Sequence, residues 1–281
     1  MDIGLGLPIS NPARLVDWAT RAESAGFDTL ALLDRLAYNN PEPLVALSVL
    51  AGATSRIRLQ TEVLLGPLRS TALLAKQVAT LDRMSGGRFT LGIGVGGRED
   101  DHAAAGTPLD QRGRLLDAQL TDLRAIWRGE PYPAARPGTG IGPRPCAPGG
   151  PQILIGAFAP AALRRVASHG DGFLCAAPLQ WAGGLVQTVR EQWTAAGRSG
   201  RPRLVCQVNA ATGPAVDQAR RAIADYYAFT GHTNWGEPLT DPAEIANTVA
   251  AYREFGADEL VLYCYGDDVA QVEALASAAL H

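Results

Sequence analysis

Apolar residues fall in short, nearly continuous runs, and the segments between them show helical spacing; the two patterns alternate along the chain. The runs Ile57 to Leu65 and Arg88 to Val95 are too apolar to keep a wet face, which predicts buried parallel strands. Between them Leu73, Leu74, Val78, Leu81 and Met84 recur at three- and four-residue spacing after Ser70, and Gly86-Gly87 stops the helix they define. Strand, crossover helix and strand require parallel pairing with a right-handed connection. The same reading predicts strands at 3–7, 27–33, 153–155, 172–176, 204–208 and 259–263, with helices at 12–25, 43–53, 109–127, 160–167, 181–196, 216–229, 242–255 and 269–280. Eight strand–helix units with at least one extra helix, spread over residues 1–281, predict an α/β fold: a single-domain (β/α)8 TIM barrel rather than an open doubly wound sheet. Two stretches break the alternation. The Pro/Gly-rich segment 129–151 suits neither a helix nor a central strand and reads as an irregular crossing and a wall of the site. The aromatic and polar loop 226–241 reads as a lid, with Tyr226, His232 and Trp235 as substrate-contacting candidates.

Composition adds exclusions. At 47% hydrophobic and 19% charged the chain can bury a large core. A net charge of −3 without a Lys/Arg run leaves no electrostatic footprint for nucleic acid. With no basic, apolar leader and no apolar run near the ~18 residues of a membrane span, the expectation is a cytoplasmic protein without a membrane partner. Cys146, Cys175, Cys206 and Cys264 are widely spaced and read as reduced core thiols. His102, His169, His232 and His281 lack ligand spacing, so no metal site is expected, and no Ser or Cys nucleophile arrangement is present.

A barrel collects ligand-binding residues at the carboxyl ends of its strands. That rule nominates Asp34, Glu62, the run Gly94 to Gly97, the Gly156 turn, Cys175, Asn209 and Tyr263. Gly92, Gly94 and Gly97 formally match a dinucleotide fingerprint, with Asp117 about twenty residues on, but that motif needs its glycines in the turn opening a helix. Here Gly92 and Gly94 alternate with apolar residues inside a strand, so either another backbone or a flat ligand comes close to them, and the polar run Arg98 to His102 at the carboxyl end of the strand favours the ligand. Asp34 and Arg35 either pair with each other or the next loop, or serve the site. Glu62, alone in an apolar strand, is costly to bury without a donor and points to the barrel mouth, a ligand or an ion pair. Beyond Gly156, a helix opening near Pro160 presents free N–H groups suited to an anion.

The runs TSRIRLQTEVLLGP and LAKQVATLDRMSGGRFTLGIGVG, with PQILIGAFAPAALRRVASHGDGF, resemble the luciferase-like monooxygenase family, and the similarity extends from IGLGLP to GADELVLY. The resemblance implies a (β/α)8 barrel using reduced FMN, with the deazaflavin F420 as the alternative. It places the cofactor ring over Glu62 and Val63, joined by a non-proline cis peptide, and beside Gly94, Gly96 and Gly97. It places Asp34 and Arg35 at the ring edge, the phosphate against Gly156, Ala157, Phe158 and Ala159, and makes Arg35, Asp34 and Glu62 the catalytic candidates. The sequence departs from the family at three points. Arg35 stands where both branches have a histidine, Gly94 and Val95 where bacterial luciferase has a cysteine and a phosphate-binding arginine, and Gly97 where the sugar-phosphate dehydrogenase branch has an acid. Neither branch's acid/base therefore carries over intact. The implied activity is a reduced-flavin monooxygenase acting on a small organic substrate, with O2 activated as a flavin C4a-peroxide, a separate flavin reductase as partner, and a homodimer as assembly. The alternatives are F420-dependent hydride transfer without oxygen and a flavin-binding protein without catalysis.

Overall fold

The computed structural model describes residues 1–7, 11–132, 140–230 and 236–280. Its strands are β1 (Asp2–Gly6), β2 (Thr29–Leu32), β3 (Arg58–Thr61), β4 (Leu64–Leu65), β5 (Phe89–Gly94), β6 (Gln152–Gly156), β7 (Gly172–Cys175), β8 (Arg203–Asn209) and β9 (Glu259–Tyr263). All pairings are parallel and join neighbours in sequence, except that β3 and β4 each pair with β5 rather than with each other; β9 pairs with β1, so the sheet closes. β3 and β4 are one barrel strand interrupted at the Glu62–Val63 peptide, which is cis as the resemblance implies. Below the break Leu59 pairs with Phe89; above it Leu64 pairs with Ile93. The result is the expected eight-stranded (β/α)8 barrel.

The helices are α1 (Leu15–Ala25), α2 (Pro43–Ala53), α3 (Thr71–Met84), α4 (Glu99–Ala105), α5 (Arg112–Arg128), α6 (Pro160–His169), α7 (Leu179–Ala195), α8 (Val216–Tyr227), α9 (Pro242–Phe255) and α10 (Gln271–Ala279). Successive strand residues point to opposite faces. Ile3, Leu5, Leu30, Leu59, Leu91 and Ile93 therefore meet helix stripes such as Trp18, Leu47, Leu74, Val78 and Leu120 outside the barrel. Ala31, Leu154, Leu174, Val205, Val261 and Tyr263 fill its interior.

Four expectations change. α4 is absent from the sequence reading because its first turn is Glu99-Asp100-Asp101, which has no apolar stripe but does complement the helix dipole. The helix expected at 109–127 begins as a 3-10 turn, Leu109–Gln111, before α5. The described part of the Pro/Gly-rich crossing, 140–151, packs on α3 and α5 rather than walling the site. Cys146 N–H donates to Asp82 Oδ2 (2.6 Å), Arg124 Nη1 donates to the Gly149 carbonyl (2.9 Å), and Lys76 Nζ donates to that of Gly142 (2.8 Å). Cys146 is exposed, so only Cys175, Cys206 and Cys264 are core thiols. Among the described residues no helix is long and apolar enough to cross a membrane, and no cluster of His, Cys, Asp and Glu has a metal-binding arrangement.

Candidate active site

A cleft of about 440 Å³ opens at the carboxyl ends of the strands, within the ~300–1,000 Å³ typical of small-molecule sites. The ends of β2 and β3 bring Asp34, Arg35, Glu62 and Val63 to it; β5 and its following turn bring Gly94, Gly96 and Gly97; β6 and the start of α6 bring Gly156, Ala157, Phe158 and Ala159. Tyr226 at the end of α8 closes one side. His232 and Trp235 lie outside the described residues. Cys175 packs in the layer between sheet and helices, Tyr263 lies in the barrel interior, and Asn209 Nδ2 is spent on the Gly236 carbonyl (2.6 Å).

Asp34 and Arg35 do not pair with each other. Asp34 Oδ2 accepts from the Leu65 N–H (2.9 Å) and Arg69 Nη1 (2.6 Å), an arrangement that ties β2 to β4. Burial raises the Asp34 carboxyl even though Arg69 works against the shift. Arg35 Nε donates to Asp101 Oδ2 (2.6 Å) and Nη2 to Asp100 Oδ2 (3.0 Å). Asp101 Oδ1 also accepts from the N–H groups of Leu36 (2.9 Å) and Ala37 (2.7 Å), so α4 grips the loop after β2. Arg35 is also near the rings of Tyr38 (5.1 Å) and Tyr226 (6.0 Å). Its remaining nitrogen, Nη1, is buried and has no hydrogen-bond partner among the described residues.

Glu62 Oε1 accepts from Gln60 Nε2, while Oε2 is buried with no hydrogen-bond partner among the described residues. Burial, reinforced by the negative charge of Glu259, pushes the Glu62 carboxyl up to about 8. The Gln60 amide opposes that rise, as does the nearby Tyr263 hydroxyl. Glu62 is therefore a neutral carboxylic acid near pH 7, able to give a proton.

The glycines of β5 and β6 make room chiefly for the chain's own β3–β4 junction. A Cβ on Gly92 would run into the Thr61 carbonyl, and one on Gly94 would lie 2.8 Å from Val63 Cγ2. Another backbone is thus what approaches Gly92, and Val63 itself forms the floor that a ligand would meet. Gly97 differs: a Cβ there would have nothing within 4 Å.

Anion-binding character comes from backbone and arginines. α6 starts after Ala159 with no side-chain cap and no acid in its first turn. Arg98 and Arg112 line the cleft without a carboxylate partner among the described residues. Arg98 stacks on Tyr226 (4.6 Å) and Phe229 (3.7 Å) and donates to the Tyr226 carbonyl. The sequence reading missed Arg69 and Arg112, and it held Arg98 and Asp101 only within the polar run Arg98 to His102, with no role for either side chain. An acid triplet and isolated arginines in a chain with 25 basic residues carry no periodic signal that sets them apart.

The sequence profile of the luciferase-like monooxygenases matches residues 2–261. An uncharacterized protein of Mycobacterium tuberculosis is 31% identical over 169 residues, covering 58% of this chain and 60% of that protein. An F420-dependent glucose-6-phosphate dehydrogenase of Beutenbergia cavernae is 33% identical over 181 residues, covering 58% of this chain and 52% of the dehydrogenase. The chain thus spans less than two thirds of these curated relatives. Among solved structures, the monooxygenase RslO1 of Streptomyces bottropensis superposes with a TM-score of 0.80 at 19% identity, covering 100% of this chain and 98% of its own.

Proposed function

Because the chain belongs to the luciferase-like monooxygenase family, we propose that it is an oxidoreductase that holds a reduced flavin-type cofactor in this cleft and acts on a small organic substrate whose reacting carbon bears oxygen. One observation carries the reading: Arg35 Nη1 and Glu62 Oε2, a buried donor and a buried carboxyl oxygen, both lack hydrogen-bond partners among the described residues and both belong to residues lining the same cleft. The guanidinium N–H receives the substrate oxygen, and the neutral carboxyl exchanges the proton. The uncapped start of α6, with Arg98 and Arg112, suits the phosphate of either cofactor. Solved neighbours hold F420 or FMN; bound here, F420 would supply hydride and FMN would activate oxygen.

We place F420-dependent hydride transfer first, reversing the order that the resemblance implies. Exchange of hydride at a carbon–oxygen bond requires one proton donor and one hydrogen bond to the oxygen, and Glu62 and Arg35 offer both. The FMN monooxygenase, fed by a separate reductase, is the second reading. It is favoured by the apolar lining of Val63, Leu65, Ala157 and Leu174, which would keep water from the ring. Anaerobic titration of the protein with reduced F420 and with reduced FMN, followed by admission of air, separates the two. Tight binding of F420 without oxygen uptake is the expected result. FMN binding with oxygen consumed into product would favour the second reading. Binding of neither, or of oxidised flavin without turnover, would sink the oxidoreductase reading.

A further inference from the structure

A second hollow, of about 250 Å³, adjoins the cleft at the carboxyl ends of β7 and β8 and shares Ala176, Gln207 and Tyr227 with it. One wall is the chain returning from α8 to the end of β8. There the Leu239 N–H donates to the Asn209 carbonyl and the Ala211 N–H to that of Leu239, both at 2.9 Å, while Asn209 Nδ2 holds the Gly236 carbonyl (2.6 Å). Gly236 fits only without a side chain, since a Cβ would lie 2.7 Å from Asn209 Nδ2 and 3.3 Å from the Tyr227 ring. The lining is otherwise flat and apolar. Trp181, in the first turn of α7, is 60% exposed beside it, and Pro178, Leu239 and Tyr227 face the same space. Small-molecule sites are lined in this way, by apolar and aromatic faces with a few placed polar groups. Two polar side chains decide what fits. Gln207 stands where hollow and cleft meet, and its amide makes no hydrogen bond to a described residue. Among the described residues the one charged side chain of the lining is an acid, Glu237, whose Oε2 lies 3.4 Å from Nε of Arg220, a residue outside the hollow. The arginines Arg35, Arg98 and Arg112 all line the cleft instead.

We infer that this hollow is the specificity site for the substrate, and that its occupant is an uncharged aryl group carried on an alcohol or carbonyl compound whose oxygen points back toward the cleft. About 150 Å³ of apolar cavity suffices for benzene, so the hollow takes one substituted ring or two fused ones. The exposed Trp181 and the ring of Tyr227 give that group aromatic surface to pack on. Gln207 donates a hydrogen bond to the substrate oxygen at the junction, and the oxygen's second lone pair remains for the Arg35 N–H. A phosphate or carboxylate on the substrate meets no cation in the hollow and faces Glu237, so burying it there is costly where burying a neutral ring is not. Phosphorylated sugars are thereby outside the class.

That the bound compound is converted rests on the proposed oxidoreductase reading; its binding in the hollow does not, and is measured in cofactor-free protein. Ligand-observed NMR titrations compare acetophenone, cyclohexyl methyl ketone, ethylbenzene and glucose 6-phosphate. Acetophenone is expected to bind more tightly than cyclohexyl methyl ketone, and glucose 6-phosphate not to bind. Trp181→Ala, at an exposed position, is expected to weaken acetophenone binding by roughly fivefold or more. Gln207→Leu is expected to weaken acetophenone several-fold while leaving ethylbenzene, which has no oxygen, as it was. Trp181 lines the hollow and not the cleft, so acetophenone binding that Trp181→Ala leaves unchanged overturns the inference. Absence of acetophenone binding does so as well, as does glucose 6-phosphate bound equally tightly, and equal affinity for the cyclohexyl ketone overturns the aryl assignment. Acetophenone that binds as expected, yet is neither reduced to 1-phenylethanol with reduced F420 nor oxygenated with reduced FMN in air, would leave the site standing and count against the oxidoreductase reading.

Discussion

Val63 stands between Gly94 and Gly156, with its methyl groups 2.8 and 2.9 Å from where their Cβ atoms would lie. Gly156→Ala should therefore cost about 1–3 kcal/mol through overpacking, and adding Val63→Ala should recover most of that loss. Equal losses with and without Val63, in denaturant unfolding, would place the cause in the backbone instead. Gly97 has open space around it, so Gly97→Leu should weaken cofactor binding at least tenfold while leaving thermal unfolding unchanged. Glu62 makes a prediction about pH. Its folded carboxyl titrates at about 8, above the ordinary value of 4.5, so between these two the folded state holds more proton than the unfolded. Stability is then lost as pH rises through that window. Glu62→Gln should melt higher than the unaltered protein at about pH 8, with the gap closing toward about pH 5. A constant gap across the range would show that Glu62 does not titrate there. At this scale the sequence exposed Glu62 as an acid in an apolar run, yet the occupant of the space beside the glycines was hidden. Gly94 and Val63 meet only because β4 pairs with β5.

α4 grips Arg35 through Asp100 and Asp101, and of the two only Asp101 is buried. Asp101 is 1% exposed and holds Arg35 together with two backbone N–H groups of the loop after β2. Asp101→Ala would leave the Arg35 guanidinium buried beside the exposed Asp100 alone, so it should destabilise the fold by roughly 3–5 kcal/mol. It should also abolish productive substrate binding, because Arg35 Nη1 is aimed by that pair. Asp101→Asn should lie between, keeping acceptors for Leu36 and Ala37; a variant as stable as the parent in urea would refute the latch. Long elements with apolar periodicity, such as α3 and α5, were legible because burial of one face writes a repeat of three and four residues. α4 was not, since a short polar helix earns its place through two hydrogen bonds and an ion pair made to residues some 65 positions away.

The homodimer implied by the resemblance finds a candidate surface in α2. This helix is apolar on its outward side as well, where Val45 and Val49 are 63% and 56% exposed and share a surface hollow with the exposed Val16 of α1. A second copy of the chain would cover such a face. Sedimentation at micromolar concentration should show a dimer that Val49→Glu dissociates, and a monomeric parent would remove the expectation. For the molecule as a whole, the alternation of apolar runs and helical stripes was sufficient to determine the barrel, because burying a parallel strand on both faces and a helix on one leaves a repeating signature at each element. The same logic put Asp34, Arg35, Glu62, Gly97 and Gly156 at strand ends, and hence at one mouth. The tertiary structure alone decided which charges neutralise which. Arg35 is paired with Asp101 rather than Asp34, Asp34 with Arg69, and the Glu62 carboxyl is raised by burial first and then by Glu259, almost two hundred residues away. Electrostatic partnership depends on distance and burial, and neither is written in the order of residues along a strand.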